Sequence, residues 1–181
     1  MTNRLAASIC IFLMSISTAQ AADDIVGPLR TQWGITRGLV VNLVQIMPEE
    51  KYDYKPTPAI RSFRENVAHL IFENYNYMNM VAGDPAPDKA KFDALKSRDE
   101  LVKALSESYA FGERTLAALT DAKAVEKITM RGQSVERWYP VLYNIQDNME
   151  HYGNLVIYVR LNGLVPPRTA AAAAAAKAKA Q

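Results

Sequence analysis

Hydrophobic positions recur every three or four residues in four segments of the chain, which predicts four amphipathic helices. The first segment runs from about Asp24 to Ile46, and the second begins at Thr57-Pro58, an N-cap followed by a proline at the first helical position, and extends to Val81. The third begins at the capping box Ser97-Arg98-Asp99-Glu100, and the fourth covers Val135 to Asn162. Four helices with one apolar face each are expected to pack as a bundle.

Glycine and proline mark the ends of these segments. Gly83-Asp84-Pro85 stops the second helix, and Gly163 with Pro166-Pro167 stops the fourth. Residues 121 to 134 look irregular, apart from a short extended piece at Lys127–Met130. Strand signals are otherwise nearly absent, because no alternating run is bounded by hairpin turns. The predicted fold class is therefore all-α, a four-helix bundle formed by residues 22–167.

The first 21 residues have the pattern of a secretory signal peptide. A basic residue, Arg4, precedes the apolar run Leu5–Ile16, and Thr18-Ala19-Gln20-Ala21 ends it with small residues. The run is shorter than the ~20 residues of a membrane span, so cleavage after Ala21 is favoured over an uncleaved anchor. We expect an exported protein, periplasmic or secreted, without a stable membrane anchor after cleavage.

Composition limits the chemistry of the mature chain. Cys10 is the only cysteine and lies in the leader, so no disulfide or thiolate nucleophile remains. Without Arg4, 20 Lys and Arg face 19 Asp and Glu, a balance that predicts no nucleic-acid partner. Any metal ion must therefore be bound through nitrogen and oxygen. The tail 168–181 is alanine-rich with two lysines, and we expect it to be disordered or transiently helical.

The fourth helix carries a polar stripe beside its apolar stripe. Asn144, Asp147, His151 and Tyr158 fall within ~60° of one another at ~100° per residue, an arrangement that suits the lining of an internal groove. Asp147 and His151 are four residues apart, so both side chains project from one face and can bind the same ion. An exposed ion pair gives the same spacing. The apolar stripe consists of Val135, Trp138, Leu142, Ile145, Met149, Tyr152, Val156 and Val159.

His69 is the only histidine besides His151. It lies away from the centre of the apolar stripe of its helix, so its position alone favours a solvated face. The alternative is a metal ligand that faces the bundle interior, with Glu73 or Asn76 as a partner behind it. The pattern leaves both interpretations open.

Several stretches resemble the DinB/YfiT-like family. The loop Met47–Pro58 resembles the loop after that family's first helix, and Arg61-Ser62-Phe63 with Val67-Ala68-His69 is similar to its second helix. The most specific match is the C-terminal block, Glu150-His151-Tyr152-Gly153-Asn154-Leu155-Val156 and Tyr158–Pro167. The resemblance covers nearly the whole mature chain except the alanine-rich tail.

The resemblance implies an up-down-down-up bundle, often dimeric, with three metal ligands. These are one histidine from the second helix and a His-x-x-x-His pair from the fourth. His69 and His151 match, whereas Asp147 occupies the remaining position, which is a departure from the family pattern. Two histidines and one carboxylate still bind zinc, the expected ion, or nickel or iron.

An open three-ligand site supports hydrolysis or addition chemistry, and some relatives resemble thiol-dependent transferases. We therefore expect a metal-dependent enzyme with a small-molecule substrate of unknown identity, and a homodimer is possible. The competing function is a metal-free bundle that binds a ligand or partner. A b-type haem bundle would need a facing Met and His pair, which the sequence does not identify.

Overall fold

The structure is a computed structural model that describes residues 24–180. The signal peptide predicted at residues 1–21 lies outside the described residues. Four long helices form the body of the described chain, which confirms the all-α fold class. The helices are α1 (Val26–Gln45), α2 (Phe63–Ala82), α3 (Ala90–Asp93), α4 (Arg98–Ala118), α5 (Asp121–Ala124), α6 (Tyr139–Leu161) and α7 (Pro167–Lys179); the strands are β1 (Lys127–Met130) and β2 (Gln133–Glu136), and a 3-10 helix covers Glu49–Lys51.

Contacts at the helix ends set the directions of the four long helices. The Arg98 guanidinium, at the start of α4, donates to the carbonyl of Gln45 at the end of α1 (2.8 Å). The ends of α2 and α4, at Ala82 and Ala118, line the same small cavity. The Tyr158 hydroxyl, near the end of α6, donates to the backbone just before α2 (2.5 Å). Thus α1 opposes α4, α4 parallels α2 and α2 opposes α6, which is an up-down-down-up order.

The start of α2 differs from its sequence-based prediction. The helix begins at Phe63 and not at Thr57-Pro58, because Ser62 and Glu65 form a reciprocal capping box that satisfies the first backbone amides. The predicted stop is confirmed, since Gly83 adopts a left-handed conformation (φ 87°) that suits glycine. The capping box predicted at Ser97 is also present at the start of α4.

The start of α6 also differs, because a β-hairpin occupies part of the segment predicted as helix. The extended piece at Lys127–Met130 is confirmed as β1, and it pairs antiparallel with β2, which contains Val135. The turn between them is Arg131-Gly132, in which both residues have positive φ (51° and 77°). Such two-residue turns match the twist of a hairpin, although Arg131 is an uncommon residue in this conformation.

The tail, for which we expect disorder or transient helix, forms α7. Alanine has the highest helix propensity of the amino acids, and Pro167 lies at the first helical turn. All residues of α7 beyond Pro167 are exposed, so the helix rests on local propensity and not on a core.

A close helix–helix contact between α1 and α4 anchors the core. The Trp33 indole is fully buried, donates to the carbonyl of Tyr109 (3.1 Å) and packs on its ring (5.1 Å between centroids). Gly112 makes this approach possible, because a Cβ atom there would lie 2.3 Å from the Trp33 ring. Among residues 24–180, no helix has the length and apolar character needed to cross a membrane.

Candidate metal centre

The polar stripe of α6 faces the interior of the bundle. Asn144, His151 and Tyr158 are buried, whereas Leu142, from the predicted apolar stripe, is 43% exposed. The helix is rotated so that polar side chains lie against α2, and this is possible because they find polar partners there. Asn74 of α2 is one such partner, because its side-chain oxygen accepts hydrogen bonds from Asn144 and Asn148 of α6.

Six side chains of α2 and α6 face each other in three pairs. They come from positions four residues apart on each helix, and because the helices are antiparallel the pairs follow one another along the interface. The two imidazole centroids at one end are 4.8 Å apart, and the two phenol centroids at the other end are 5.2 Å apart. We call this set the polar ladder: His69 with His151, Glu73 with Asp147, and Tyr77 with Tyr143.

The structure brings together the three residues that the sequence analysis proposed as metal ligands. One ligand atom from each of His69, Asp147 and His151 lies within 4.8 Å of the others. His69 therefore does not point from a solvated face; its side chain is 17% exposed. We call these three residues the metal cluster. Their role as ligands stays a prediction.

Glu73 lies beside His69 in the polar ladder. Its carboxylate Oε1 lies 3.9 Å from Nδ1 of His69, and both side chains are largely buried. A carboxylate beside the second nitrogen of an imidazole is the usual device that orients a metal-binding histidine. Of the two partners named from the sequence, Glu73 lies beside this nitrogen, although 3.9 Å is longer than a hydrogen bond.

Burial controls the protonation of the cluster. It lowers the pKa of the His69 imidazole to about 4, and the positive charge of Arg61 adds to this effect. Burial also lowers the pKa of His151, with Asp147 opposing the shift. The same loss of hydration raises the pKa of the Asp147 carboxyl group, with His151 opposing, and that of Glu73. At neutral pH both imidazoles are therefore neutral, as a metal ligand must be.

Two buried polar atoms of the cluster have no hydrogen-bond partner. They are Oδ2 of Asp147 and Nδ1 of His151; the other oxygen of Asp147, Oδ1, lies 3.8 Å from Nε2 of His151. Buried polar atoms are nearly always satisfied in folded proteins, so these two atoms are suited to bind a ligand. A divalent ion fits this donor set, because it accepts lone pairs from a carboxylate oxygen and from neutral imidazoles.

Arg131 closes the phenol end of the polar ladder. Its guanidinium donates to the hydroxyls of Tyr77 and Tyr143 (2.8 Å each) and lies 4.6 Å above the Tyr143 ring. Its charge also acts on the carboxylates of Glu73 and Asp147. No sequence pattern identified Arg131, because its position depends on the turn of the β-hairpin, and only the first strand of that hairpin was predicted.

The fold and the site define a four-helix bundle with a two-histidine, one-carboxylate cluster between its second and fourth long helices. A family model described as the DinB superfamily matches residues 31–155. The chain therefore belongs to the DinB superfamily. The match includes His69, Asp147 and His151.

Solved structures show the same fold at low sequence identity. A DinB-like protein (YjoA) from Bacillus subtilis is 20% identical with a TM-score of 0.64, over 76% of this chain and 93% of that chain. A DinB-like protein from Bacillus cereus is 13% identical with a TM-score of 0.67, over 77% and 93%. A conserved protein from Enterococcus faecalis is 16% identical with a TM-score of 0.62, over 74% and 94%. Comparison with curated proteins found no match.

Proposed function

We propose that the protein binds one divalent metal ion, zinc in the first place, through His69, Asp147 and His151. The observation that carries the proposal is the convergence of these three side chains, with a buried carboxylate oxygen that lacks a partner. Nickel and iron are alternatives, because two imidazoles and a carboxylate suit all three ions.

We also propose that the metal-loaded protein is an enzyme of hydrolase or thiol-transferase type. Three protein ligands leave a position open, and a divalent ion bound there lowers the pKa of a water molecule or a small thiol. The chain's own residues would hold this arrangement in place. Glu73 positions the His69 ring, and the spacing of four residues keeps Asp147 and His151 on one face of α6.

The signal-peptide pattern of residues 1–21 supports a further proposal, that the protein is exported. An exported protein has less access to cytosolic thiols, which favours the hydrolase over the thiol transferase. The homodimer implied by the family resemblance stays a prediction.

Metal analysis of the purified mature protein tests the proposal. We expect one zinc ion per chain, and the Asp147→Ala and His151→Ala variants should each lose at least about tenfold in zinc affinity, since even outer partners of ligands contribute that much. Asp84→Ala removes an exposed aspartate at the end of α2 and is the matched control, with affinity unchanged. Asp147→His, which restores the family's ligand set, should bind zinc or nickel more tightly than the wild type.

Two results would decide for other functions. A protein that takes up no zinc, nickel or iron at one equivalent would be a metal-free bundle that binds a ligand or partner. Tight zinc binding that survives Asp147→Ala would assign the third ligand to another group, Glu73 or Glu150. Cobalt(II) in place of zinc reports added ligands through its visible spectrum, so a spectral change with cysteine would favour the thiol transferase.

A further inference from the structure

A large cavity opens beside the metal cluster. It has a volume of about 930 Å³ and lies between the loop that precedes α2 and the segment 89–96 around α3. His69 is on its wall, so one member of the cluster faces both the cavity and the bundle interior. A molecule in the cavity would therefore lie next to the proposed metal site.

The acidic side chains of the cavity wall are all neutralised by neighbouring cations. Each of the three carboxylates forms an ion pair of 2.6 to 2.9 Å with a lysine or arginine that also lines the cavity. These pairs are Glu65 with Lys55, Asp53 with Arg64, and Asp93 with Lys89.

Two further cations on the wall, Arg61 and Lys96, have no ion-pair partner among residues 24–180. The cavity wall therefore carries two positive charges that no acidic side chain balances. A wall with this excess of positive charge attracts anions and repels cations. The charge excess is local, because the whole chain has a net charge of only +2 over 181 residues.

The backbone of Arg61 is fixed at the wall of the cavity. Its carbonyl accepts a hydrogen bond from the buried Tyr158 hydroxyl (2.5 Å), and the next residue, Ser62, caps α2. The guanidinium is close enough to His69 and His151 for its charge to act on both imidazoles. An anion that lies between this guanidinium and a bound metal ion would attract both and reduce the repulsion between the two positive charges.

We propose that this cavity binds the anionic group of the substrate, a carboxylate or a phosphate, through Arg61 and Lys96. The planar guanidinium presents a pair of parallel donors that matches both anions, and the lysine ammonium contributes a second charge. The rest of the substrate molecule then lies against His69. The reactive role of this part rests on the proposed metal-dependent activity, whereas binding of the anion does not.

Titrations of the metal-free protein test the proposal separately from metal binding. We expect inorganic phosphate and acetate, added at constant ionic strength to ¹⁵N-labelled wild type, to shift the amide signals of residues 55–69 and 89–96 in a saturable way. Arg61→Gln and Lys96→Gln should each weaken the binding of the preferred anion at least about fivefold, in keeping with the loss of one charge-assisted hydrogen bond. Arg114→Gln removes an exposed arginine outside the cavity and should leave the binding unchanged.

The stronger of the two probes identifies the anionic group of the substrate. Shifts that do not saturate, that appear elsewhere on the surface, or that persist unchanged in both glutamine variants would overturn the proposal. Zinc stoichiometry is measured on the same samples. If zinc binds and neither phosphate nor acetate does, the proposed anion site is wrong and the proposed metal site is supported. If an anion binds and zinc does not, the proposed metal site is wrong and the anion site is supported.

Discussion

Two polar clusters lie next to each other in the core of this protein and differ in whether their buried atoms have hydrogen-bond partners. The metal cluster leaves two buried polar atoms without partners. The asparagine cluster, only one helical turn away, leaves none among its described side-chain atoms. It consists of Asn74, Ser108, Tyr109, Asn144 and Asn148, all of them fully buried.

The hydrogen bonds of the asparagine cluster join three helices. Asn148 accepts from the Tyr109 hydroxyl (2.6 Å) and donates to the side-chain oxygen of Asn74 (2.9 Å). Asn74 donates in turn to the hydroxyl of Ser108 (3.0 Å). The cluster thereby ties α2, α4 and α6 in one register. A buried network with all members satisfied stabilises a unique arrangement of the core.

Hydrogen-bond satisfaction distinguishes polar residues that stabilise the fold from polar residues that are suited to bind a ligand. Both clusters are largely buried and both include residues of α2 and α6, so burial alone does not distinguish them. The asparagines complete their bonds within the chain, whereas Asp147 and His151 each have one buried side-chain atom without a partner among residues 24–180. Substitutions should therefore affect folding in one cluster and metal binding in the other.

The largest effect is expected from breaking the asparagine cluster. Asn148→Ala leaves the Tyr109 hydroxyl and the Asn74 oxygen with fewer partners in the dry core, so the free energy of unfolding should fall by about 3 kcal/mol. Urea unfolding of the metal-free protein measures this decrease in the free energy of unfolding. Asn154→Ala, an exposed position of the same helix, is the control and should change little. Equal effects of the two variants would contradict a structural role for the cluster.

The next effect is the stabilisation of the folded state by zinc. A ligand that binds only the folded protein adds about 2.7 kcal/mol at a free concentration 100 times its Kd. We expect this gain in thermal or urea unfolding of the wild type, and its loss in His151→Ala and Asp147→Ala. A zinc effect that persists in both variants would place the ion elsewhere.

Acid should destabilise the metal-free protein through His69. The folded-state pKa of about 4 lies below the ordinary 6.5, so the unfolded chain binds the proton first as the pH falls. Stability attributable to this group is complete above pH 6.5 and declines toward pH 4, by about 2 kcal/mol for a partly exposed group. In His69→Gln, unfolding measured from pH 7.5 to 4 should show a smaller decline. An identical profile in wild type and variant would refute this assignment.

The smallest effect on stability is expected from replacing Glu73, one of the two carboxylates of the polar ladder. The raised pKa of Glu73 means that its ionised form is disfavoured in the folded, metal-free protein. Glu73→Gln should therefore raise the free energy of unfolding at pH 8 by about 1 kcal/mol. The advantage should shrink as the pH falls through the raised pKa, because the wild-type carboxyl group then takes up a proton. Glu107→Gln, on the exposed face of α4, is the control.

Glu73→Gln also distinguishes stability from metal binding. If Glu73 orients His69, the variant should be more stable without metal and yet bind zinc about tenfold more weakly. If the free energy of unfolding and the zinc affinity both rise or both fall in the variant, Glu73 does not position His69.

Local signals in the sequence determined much of the fold. Helical periodicity, the capping box at Ser97 and the stop at Gly83 depend on neighbouring residues only, and the structure agrees with each of them. The choice between Thr57-Pro58 and Ser62 as the start of α2 was wrong, because both are competent caps and the loop contacts of Tyr52 and Tyr54 decide between them.

The site was determined in part by the sequence and in part by the tertiary structure. The spacing of Asp147 and His151 on one helix places both side chains on the same face, and this spacing can be seen in the chain alone. The facing of His69 toward them depends on how α2 and α6 are rotated about their axes, and the asparagine cluster and the bundle packing set that rotation. Arg61 and Arg131 approach the site from loops, whose paths follow from long-range contacts that no local pattern encodes.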